Sequence, residues 1–131
     1  MDFYASLVAG DLLVEARGSH TLLRLDCRGR SNARKPAVML EPYFETVLLR
    51  AKESRCRIEV HFEQLEFFNS STVSAVMRLI RAARDQHVRL SLVFDDGQKW
   101  QSRSFEALRV FEGADGLLSI HGLAVVPHPE H

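Results

Sequence analysis

The fold of this 131-residue chain is decided by one stretch, Phe67-Phe68-Asn69-Ser70-Ser71-Thr72, and by the segments on either side of it. An alternating apolar run precedes the stretch at residues 57–62, and an amphipathic run follows it at residues 73–84. A spacing of two predicts a strand, whereas a spacing of three and four predicts a helix. We therefore interpret residues 67–72 as a short connection that brings three hydroxyl groups into the first turn of a helix.

Two interpretations of these hydroxyls remain open. The start of a helix exposes backbone N–H groups and the positive end of the helix dipole. In one interpretation the stretch supplies the cap of the helix, through Ser70 or Ser71, because asparagine and serine are the preferred capping residues. In the other, Ser70 is a phosphoacceptor, because the same position favours a phosphate once it is attached. The two interpretations are compatible, since a hydroxyl can cap the helix until it is modified.

The rest of the chain also alternates between strand and helix patterns. The pattern predicts a hairpin at residues 3–16 with its turn at Gly10-Asp11, a strand at 22–25, a polar loop at 28–35, a helix from Pro42 to about Ser54, a strand at 88–94, a helix at 100–111 and a strand at 117–120. Strands that alternate with helices of this length indicate an α/β fold with a mixed, partly parallel sheet. We expect one domain over residues 1–126 and a mobile tail at 127–131.

Composition narrows the class of protein. Seventeen basic and seventeen acidic residues cancel, which argues against a nucleic-acid partner. No apolar run approaches the roughly 20 residues of a membrane span, and the N-terminus lacks the basic region of a signal peptide. Cys27 and Cys56 form no CxxC pair, which disfavours a zinc or redox site. These observations predict a soluble, cytoplasmic protein with free thiols and no metal or cofactor.

An enzyme built on Ser70 would need a general base close to the hydroxyl. His61 and His87 lie on either side of Ser70 in the sequence. His61 should point to the opposite face of its strand from Val60, and His87 follows the far end of the helix. Neither is placed to reach Ser70, and no nucleophile elbow, phosphate-binding loop or metalloprotease motif occurs. The sequence therefore predicts no catalytic residue.

The segment from Arg57 to residue 85, followed by the strand from residue 88, resembles the STAS family, whose best-known members are bacterial anti-sigma-factor antagonists. The resemblance covers roughly residues 38–112. In that family an Asp-Ser-Ser-Gly run opens the helix, and a cognate kinase phosphorylates its first serine. Asn69 matches the aspartate, Ser70 the phosphoacceptor, Ser71 the second serine and Thr72 the glycine.

The two departures from that motif resemble one branch of the family. Asn69 lacks the carboxylate and Thr72 replaces the glycine, and Asn followed by Ser or Thr is similar to the STAS-like branch that includes biofilm-regulating phosphoproteins. Residues 99–101 and 104–108 are also similar to a cyanobacterial and proteobacterial regulator group of that branch. The resemblance implies a single STAS-like domain, a cognate serine kinase, a PP2C-type phosphatase and a downstream regulatory protein. It makes Ser70 the phosphoacceptor, with Ser71 and Thr72 as alternatives.

The helix after the motif predicts where a partner would bind. Ser70, Ser74 and Arg78 are four residues apart and share one helical face, which with Asn69 forms a candidate partner-binding edge. The opposite face should bury Val73, Val76, Met77, Ile80 and Ala83. Two hypotheses follow. The chain is either a non-catalytic bacterial signalling regulator switched by reversible serine phosphorylation, or a constitutive STAS-like binding module that is not phosphorylated.

Overall fold

A computed structural model describes residues 3–31 and 36–124. Strands and helices alternate along the chain as the sequence pattern predicts. The elements are β1 (Phe3–Ala9), β2 (Leu12–Gly18), β3 (Leu22–Ser31), α1 (Pro36–Ser54), β4 (Arg57–His61), β5 (Leu65–Phe68), α2 (Ser70–Asp85), β6 (Leu90–Asp95), α3 (Lys99–Leu108), a 3-10 turn (Arg109–Phe111) and β7 (Leu118–Leu123). The tail predicted at residues 127–131 lies outside the described residues.

The described strands form one mixed sheet in the order β1-β2-β3-β4-β6-β7, and β5 pairs with the end of β3. The first three strands are antiparallel, whereas β4, β5, β6 and β7 run parallel to their neighbours. Alternate strand residues and the buried residues of all three helices belong to one apolar cluster, so the helices cover a single face. The predicted α/β fold with a mixed sheet is confirmed.

The opening hairpin is also as predicted. Its strands pair from Phe3 with Gly18 to Ala9 with Leu12. The two connecting residues are Gly10 and Asp11, and Gly10 has a φ of +61°. Glycine reaches this conformation without the steric cost that a Cβ atom brings, which suits it to a two-residue turn.

The prediction of a loop at residues 28–35 is wrong for residues 28–31, because β3 continues to Ser31. The extra residues pair with β5, which the sequence pattern did not predict. A register shift follows Gly29, whose φ is +85° and whose Cβ, if present, would lie 2.0 Å from the Asp11 carbonyl oxygen. A polar strand that is shaped by such a bulge has no apolar alternation to reveal it. Residues 32–35 of that loop lie outside the described ranges.

Helix α1 begins at Pro36, so the prediction that Pro42 lies in its first turn is wrong. Pro42 stands inside the helix and cannot donate to the carbonyl of Val38, four residues before it. Both residues are exposed, and water can take the place of the missing donor. The hydroxyl of Thr46 donates to the Pro42 carbonyl at 3.0 Å. The helix therefore tolerates a residue that usually marks a helix start.

The buried face of α2 differs slightly from the predicted one. Val76, Ile80 and Ala83 are buried as expected, but Val73 and Met77 are only half-buried. The core face is completed instead by Thr72, Ala75 and Leu79. The helix is rotated so that its small residues face α1, which packs alongside it. Ser74 and Arg78 are exposed as predicted, and Arg81 and Asp85 are exposed as well.

Candidate functional site

The first turn of α2 is capped by Asn69, which corrects the interpretation that Ser70 or Ser71 is the cap. The Asn69 side-chain oxygen accepts hydrogen bonds from the backbone N–H and the hydroxyl of Thr72, both at 3.1 Å. An asparagine three residues before a threonine fits the spacing of an N-cap and its third helical position. That spacing is the sequence signal that could have identified the cap.

Thr72 in turn ties the helix to strand β3. The hydroxyl groups of Thr72 and Ser31 lie 2.5 Å apart, and both side chains are buried. Because the Thr72 hydroxyl donates to Asn69, its oxygen is left to accept from Ser31. The backbone N–H of Asn69 also donates to the Ser31 carbonyl at 3.1 Å. Nothing in the sequence pattern points to Ser31, which lies 41 residues before Thr72.

Ser70 takes no part in this network. Its side chain is exposed at the first helical position and makes no hydrogen bond with any residue in the described ranges. Ser71 is half-buried, whereas Thr72 is only 4% exposed. The first turn of α2 contains no acidic residue. Of the three candidate hydroxyls, that of Ser70 is therefore the most accessible, and it lies at the positive end of the helix dipole.

The buried side-chain amide of Gln101 anchors strand β5, which lies just before Ser70 in the chain. Gln101 of α3 is fully buried, and its nitrogen donates to the carbonyls of Phe62 and Leu65 at 2.8 and 2.9 Å. Its oxygen accepts from the backbone N–H of Asp95 at 2.7 Å. One side chain thus joins the turn between β4 and β5 to the end of β6. The sequence pattern did not predict this role, because a polar residue on an amphipathic helix is expected on its solvent side.

A cluster of aromatic rings packs in the core next to β5. Phe105 lies 4.7 Å from Phe62, 5.4 Å from Phe94 and 5.7 Å from Phe68, measured between ring centroids. Trp100 is half-buried and packs on Phe68 at 5.2 Å. Of the two phenylalanines before Asn69, Phe68 therefore packs inward.

The other phenylalanine points outward. Phe67 is 40% exposed, and the guanidinium of Arg30 lies 5.6 Å from its ring centroid. Arg30 was predicted to lie on a distant loop, but strand pairing sets it directly beside Phe67. An exposed aromatic ring and a cation therefore stand next to the Ser70 end of α2.

The exposed face of α2 borders a groove against α1. Arg78 forms an ion pair with Glu41 across the top of this groove. The groove between the two helices is lined by Glu41, Phe44, Glu45, Leu48, Ala75, Arg78, Leu79 and Ala82. Ser70, Ser74 and Arg78 are all exposed along α2, as their spacing predicts. The predicted edge residues thus lie on one surface. Arg78, however, already forms an ion pair with Glu41 of the same chain.

The uncovered face of the sheet carries a charged network around His61. The ring atom Nδ1 lies 2.9 Å from a carboxylate oxygen of Glu63, and Nε2 lies 2.6 Å from one of Glu59. The hydrogen bond with Glu63 is the largest cause that raises the pKa of His61; burial opposes it, and the bond with Glu59 adds to it. His61 thus points away from the core, as predicted, and it is engaged by carboxylates of its own segment.

Stability should depend on the protonation of His61. Because the pKa of His61 is raised in the folded protein, its contribution is complete below the ordinary value of about 6.5 and is lost as the pH rises through the folded value. We expect the free energy of unfolding, measured in urea, to fall as the pH increases above about 6.5. His61→Gln should flatten this decline, whereas His121→Gln, at an exposed position of β7, should preserve it. A decline that persists in His61→Gln would assign it to another group.

Across residues 3–31 and 36–124, no group of three or more His, Cys, Asp and Glu side chains could hold a metal ion. Cys27 and Cys56 are both free and buried, and burial raises the pKa of the Cys27 thiol to about 12. None of the helices described is both long and apolar enough to cross a membrane.

No model of a protein family and no curated protein matches this sequence. Among solved structures, the chain is similar to one in the crystal structure of the diguanylate cyclase SiaD in complex with its activator SiaC from Pseudomonas aeruginosa. The TM-score is 0.57 at 15% identity, and the match covers 91% of this chain and 99% of that chain. The chain has a STAS-like fold.

A second solved structure is that of the anti-sigma-factor antagonist SpoIIAA in its unphosphorylated form. The TM-score is 0.48 at 12% identity, and the match covers 82% of this chain and 98% of that chain. At 15% identity, the likeness to the chain in the SiaD–SiaC complex concerns the fold alone. The STAS-like fold is nevertheless the one that the sequence around Ser70 predicted, and it sets the N-terminus of α2 at the edge of the sheet.

Proposed function

We propose that this STAS-like chain is a non-catalytic bacterial signalling regulator whose choice of protein partner is switched by reversible phosphorylation of Ser70. The observation that carries the proposal is that side chains other than Ser70 make the structural hydrogen bonds in the first turn of α2. Asn69 caps the helix and Thr72 locks it to Ser31, so the exposed Ser70 hydroxyl is not needed for either task. A side chain that makes no structural hydrogen bond can be modified without loss of the fold.

Electrostatics favour a phosphate at this position. A phosphoserine adds about −1.5 to −2 charge at pH 7. At Ser70 that charge would meet the positive end of α2 and no acidic residue of its first turn. The modification would therefore change the surface without destabilising the helix that carries it. An acidic partner surface would be repelled by the new charge and a basic one attracted.

The proposed docking surface is formed by Asn69, Ser70, Ser74 and Arg78, with the exposed ring of Phe67 at its border. Aromatic and arginine side chains are enriched at the energetic centres of protein interfaces. Phe67 with Arg30 and the Arg78–Glu41 pair therefore offer contacts on both sides of the modified hydroxyl. The similar solved structure is that of an activator bound to its enzyme, which supports a protein as the partner.

The proposed setting is cytoplasmic. A cognate serine kinase would transfer a phosphoryl group to Ser70, a PP2C-type phosphatase would remove it, and a downstream regulatory protein would bind only one of the two forms. The alternative is a constitutive binding module that uses the same edge without modification. That alternative is favoured by Asn69, which stands where sigma-factor antagonists carry an aspartate.

The phosphate is expected on Ser70 when the protein is purified from its native host. Intact mass and peptide mapping should find one phosphate, and Ser70→Ala should abolish it. Burial of Thr72 and the half-burial of Ser71 make these hydroxyls poorer substrates. Ser71→Ala serves as the control and should remain phosphorylated. A phosphate on Ser71 would reject the assignment, and none under any growth condition would support the constitutive module.

Charge at Arg78 is expected to govern partner binding more than stability. Arg78→Glu removes an exposed ion pair with Glu41, and such a pair stabilises by about 0.2–1 kcal/mol. The variant should therefore unfold within about 1 kcal/mol of the wild type but lose affinity for the partner. Arg17→Glu is the matched control, because Arg17 also forms an exposed pair, with Glu15 on the distant strand β2. Equal affinity of both variants for the partner would move the interface away from α2.

A further inference from the structure

A second surface lies at the opposite edge of the sheet from Ser70. Helices α1 and α2 end there, and strands β4 and β6 begin. These segments border a solvent-open cavity of about 410 Å³. The cavity is lined by Thr21, Ala51, Lys52, Arg55, Cys56, Arg57, Gln86, His87, Val88 and Arg89. Its volume falls within the range of small-molecule sites. The proposed phosphorylation switch makes no use of this cavity.

The charge of this cavity is one-sided. Lys52, Arg55, Arg57 and Arg89 contribute four cations, and none of the lining residues is acidic. None of these four forms an ion pair with any residue in the described parts of the chain, although seven other ion pairs occur there. In a chain whose acidic and basic residues are equal in number, this is a local excess that internal carboxylates do not neutralise.

Two residues that line the cavity also have an unusual backbone conformation. Among the described residues, the non-glycine residues with positive φ are Arg55, at 56°, and His87, at 58°. Each follows the end of a helix in the position where a Schellman motif normally carries glycine. The motif bonds are present at both ends, from Cys56 N–H to the Ala51 carbonyl at 2.8 Å and from Val88 N–H to the Ala83 carbonyl at 2.9 Å.

Arg55 and His87, the two residues with this left-handed conformation, both line the cavity. A left-handed conformation costs a residue with a Cβ about 1–2 kcal/mol, and glycine avoids this cost. Backbone strain of this kind clusters at functional sites, where the side chain itself is needed. Stabilisation of the helix dipole by cations accounts for Lys52 in the last turn of α1. It does not account for Arg57, the first residue of β4, or for Arg89, which directly precedes β6.

We propose that this cavity binds a small phosphate-bearing anion, held by Arg55, Arg57 and Arg89 with Lys52 and His87 at its rim. Guanidinium groups match phosphate oxygens with two parallel hydrogen bonds, which makes arginine well suited to such ligands. The concave shape favours a small molecule over a long polyanion, and the neutral chain offers no extended basic stripe for nucleic acid. No aromatic side chain lines the cavity, so recognition would rest on the phosphate groups.

Binding is tested by isothermal titration with pyrophosphate, inorganic phosphate, ADP and sulfate at constant ionic strength. Pyrophosphate should bind more tightly than sulfate, with an affinity that falls as salt increases. Equal affinities for ADP and pyrophosphate would identify a free diphosphate as sufficient, and tighter ADP binding would identify a nucleotide. Arg57→Gln and Arg89→Gln should each weaken binding about tenfold or more, as expected for a lost charge-assisted hydrogen bond. Arg81→Gln, at an exposed position of α2 outside the cavity, should bind as the wild type does.

A second pair of variants separates ligand recognition from folding. Arg55→Gly and His87→Gly relieve the left-handed strain, so each should raise Tm by roughly 2–4 °C while it weakens pyrophosphate binding. Opposite changes in stability and affinity would show that the side chains are retained for the ligand. The proposal is overturned if no phosphate compound binds more tightly than sulfate, or if Arg81→Gln weakens binding as much as Arg57→Gln.

Discussion

Gln101→Leu is expected to lower the free energy of unfolding by about 3–5 kcal/mol, because two buried backbone groups would lose the side chain that pairs with them and a third would lose one of its two partners. Leucine has nearly the volume of glutamine, so the loss reflects hydrogen bonds and not a cavity. The N–H of Asp95 and the carbonyl of Leu65 lose the amide of Gln101, whereas the carbonyl of Phe62 keeps the hydrogen bond from the N–H of Leu65. Each buried, unsatisfied group costs about 1–3 kcal/mol. Urea unfolding followed by circular dichroism measures the change.

Gln64→Leu is the matched control for this prediction. Gln64 lies in the same turn between β4 and β5, but its side chain is exposed. The same chemical change there should alter stability by no more than about 0.5 kcal/mol. If the two variants lose equal stability, hydrophobicity of the turn and not the buried amide accounts for the effect. Hydrogen exchange of residues 65–68 in Gln101→Leu should also accelerate, since β5 would lose one of its attachments.

Phe105→Ala is expected to destabilise the protein by a similar amount, about 3–5 kcal/mol. Phe105 is fully buried, and its ring contacts those of Phe62, Phe68 and Phe94. Truncation removes the transfer energy of the ring and leaves a space that its aromatic neighbours cannot fill. The urea midpoint should fall with little change in the slope of the transition.

Phe67→Ala provides the comparison at the same edge of the sheet. Phe67 belongs to β5, but 40% of its surface is exposed, so its truncation should cost less than half as much as that of Phe105. If Phe67→Ala destabilises the protein as strongly as Phe105→Ala, Phe67 is a core residue and not part of a docking surface. If it leaves stability nearly unchanged and weakens partner binding, the exposed ring belongs to the proposed interface.

The periodicity of the sequence was sufficient to predict the order of most elements and the exposure of Ser70, Ser74 and Arg78. These properties are local, because a helical or alternating pattern repeats within a few residues and determines which side faces the core. The resemblance carried by residues 57–85 added the STAS-like fold. The separate positions of Cys27 and Cys56, with no CxxC pair, also predicted the two free cysteines.

The hidden parts of the site depend on residues that are far apart in sequence. Ser31 reaches Thr72 across 41 positions, and Gln101 reaches Phe62 across 39. Neither contact leaves a periodic trace, since a buried polar residue looks like a surface residue until its partner is known. Strand β5 and the end of β3 were missed for the same reason, because each becomes a strand by pairing with the other.

Sequence by itself therefore determined the class of fold and the exposure of Ser70 at the start of α2. Tertiary structure alone decided which residue caps that helix, which pairs hold it in place and which cations meet at the opposite edge. The physical reason is the range of the interactions. Propensity, amphipathicity and capping preferences act over a few residues along the chain. Buried hydrogen bonds, aromatic contacts and the collection of Arg55, Arg57 and Arg89 around one cavity exist only after the sheet has brought distant segments together.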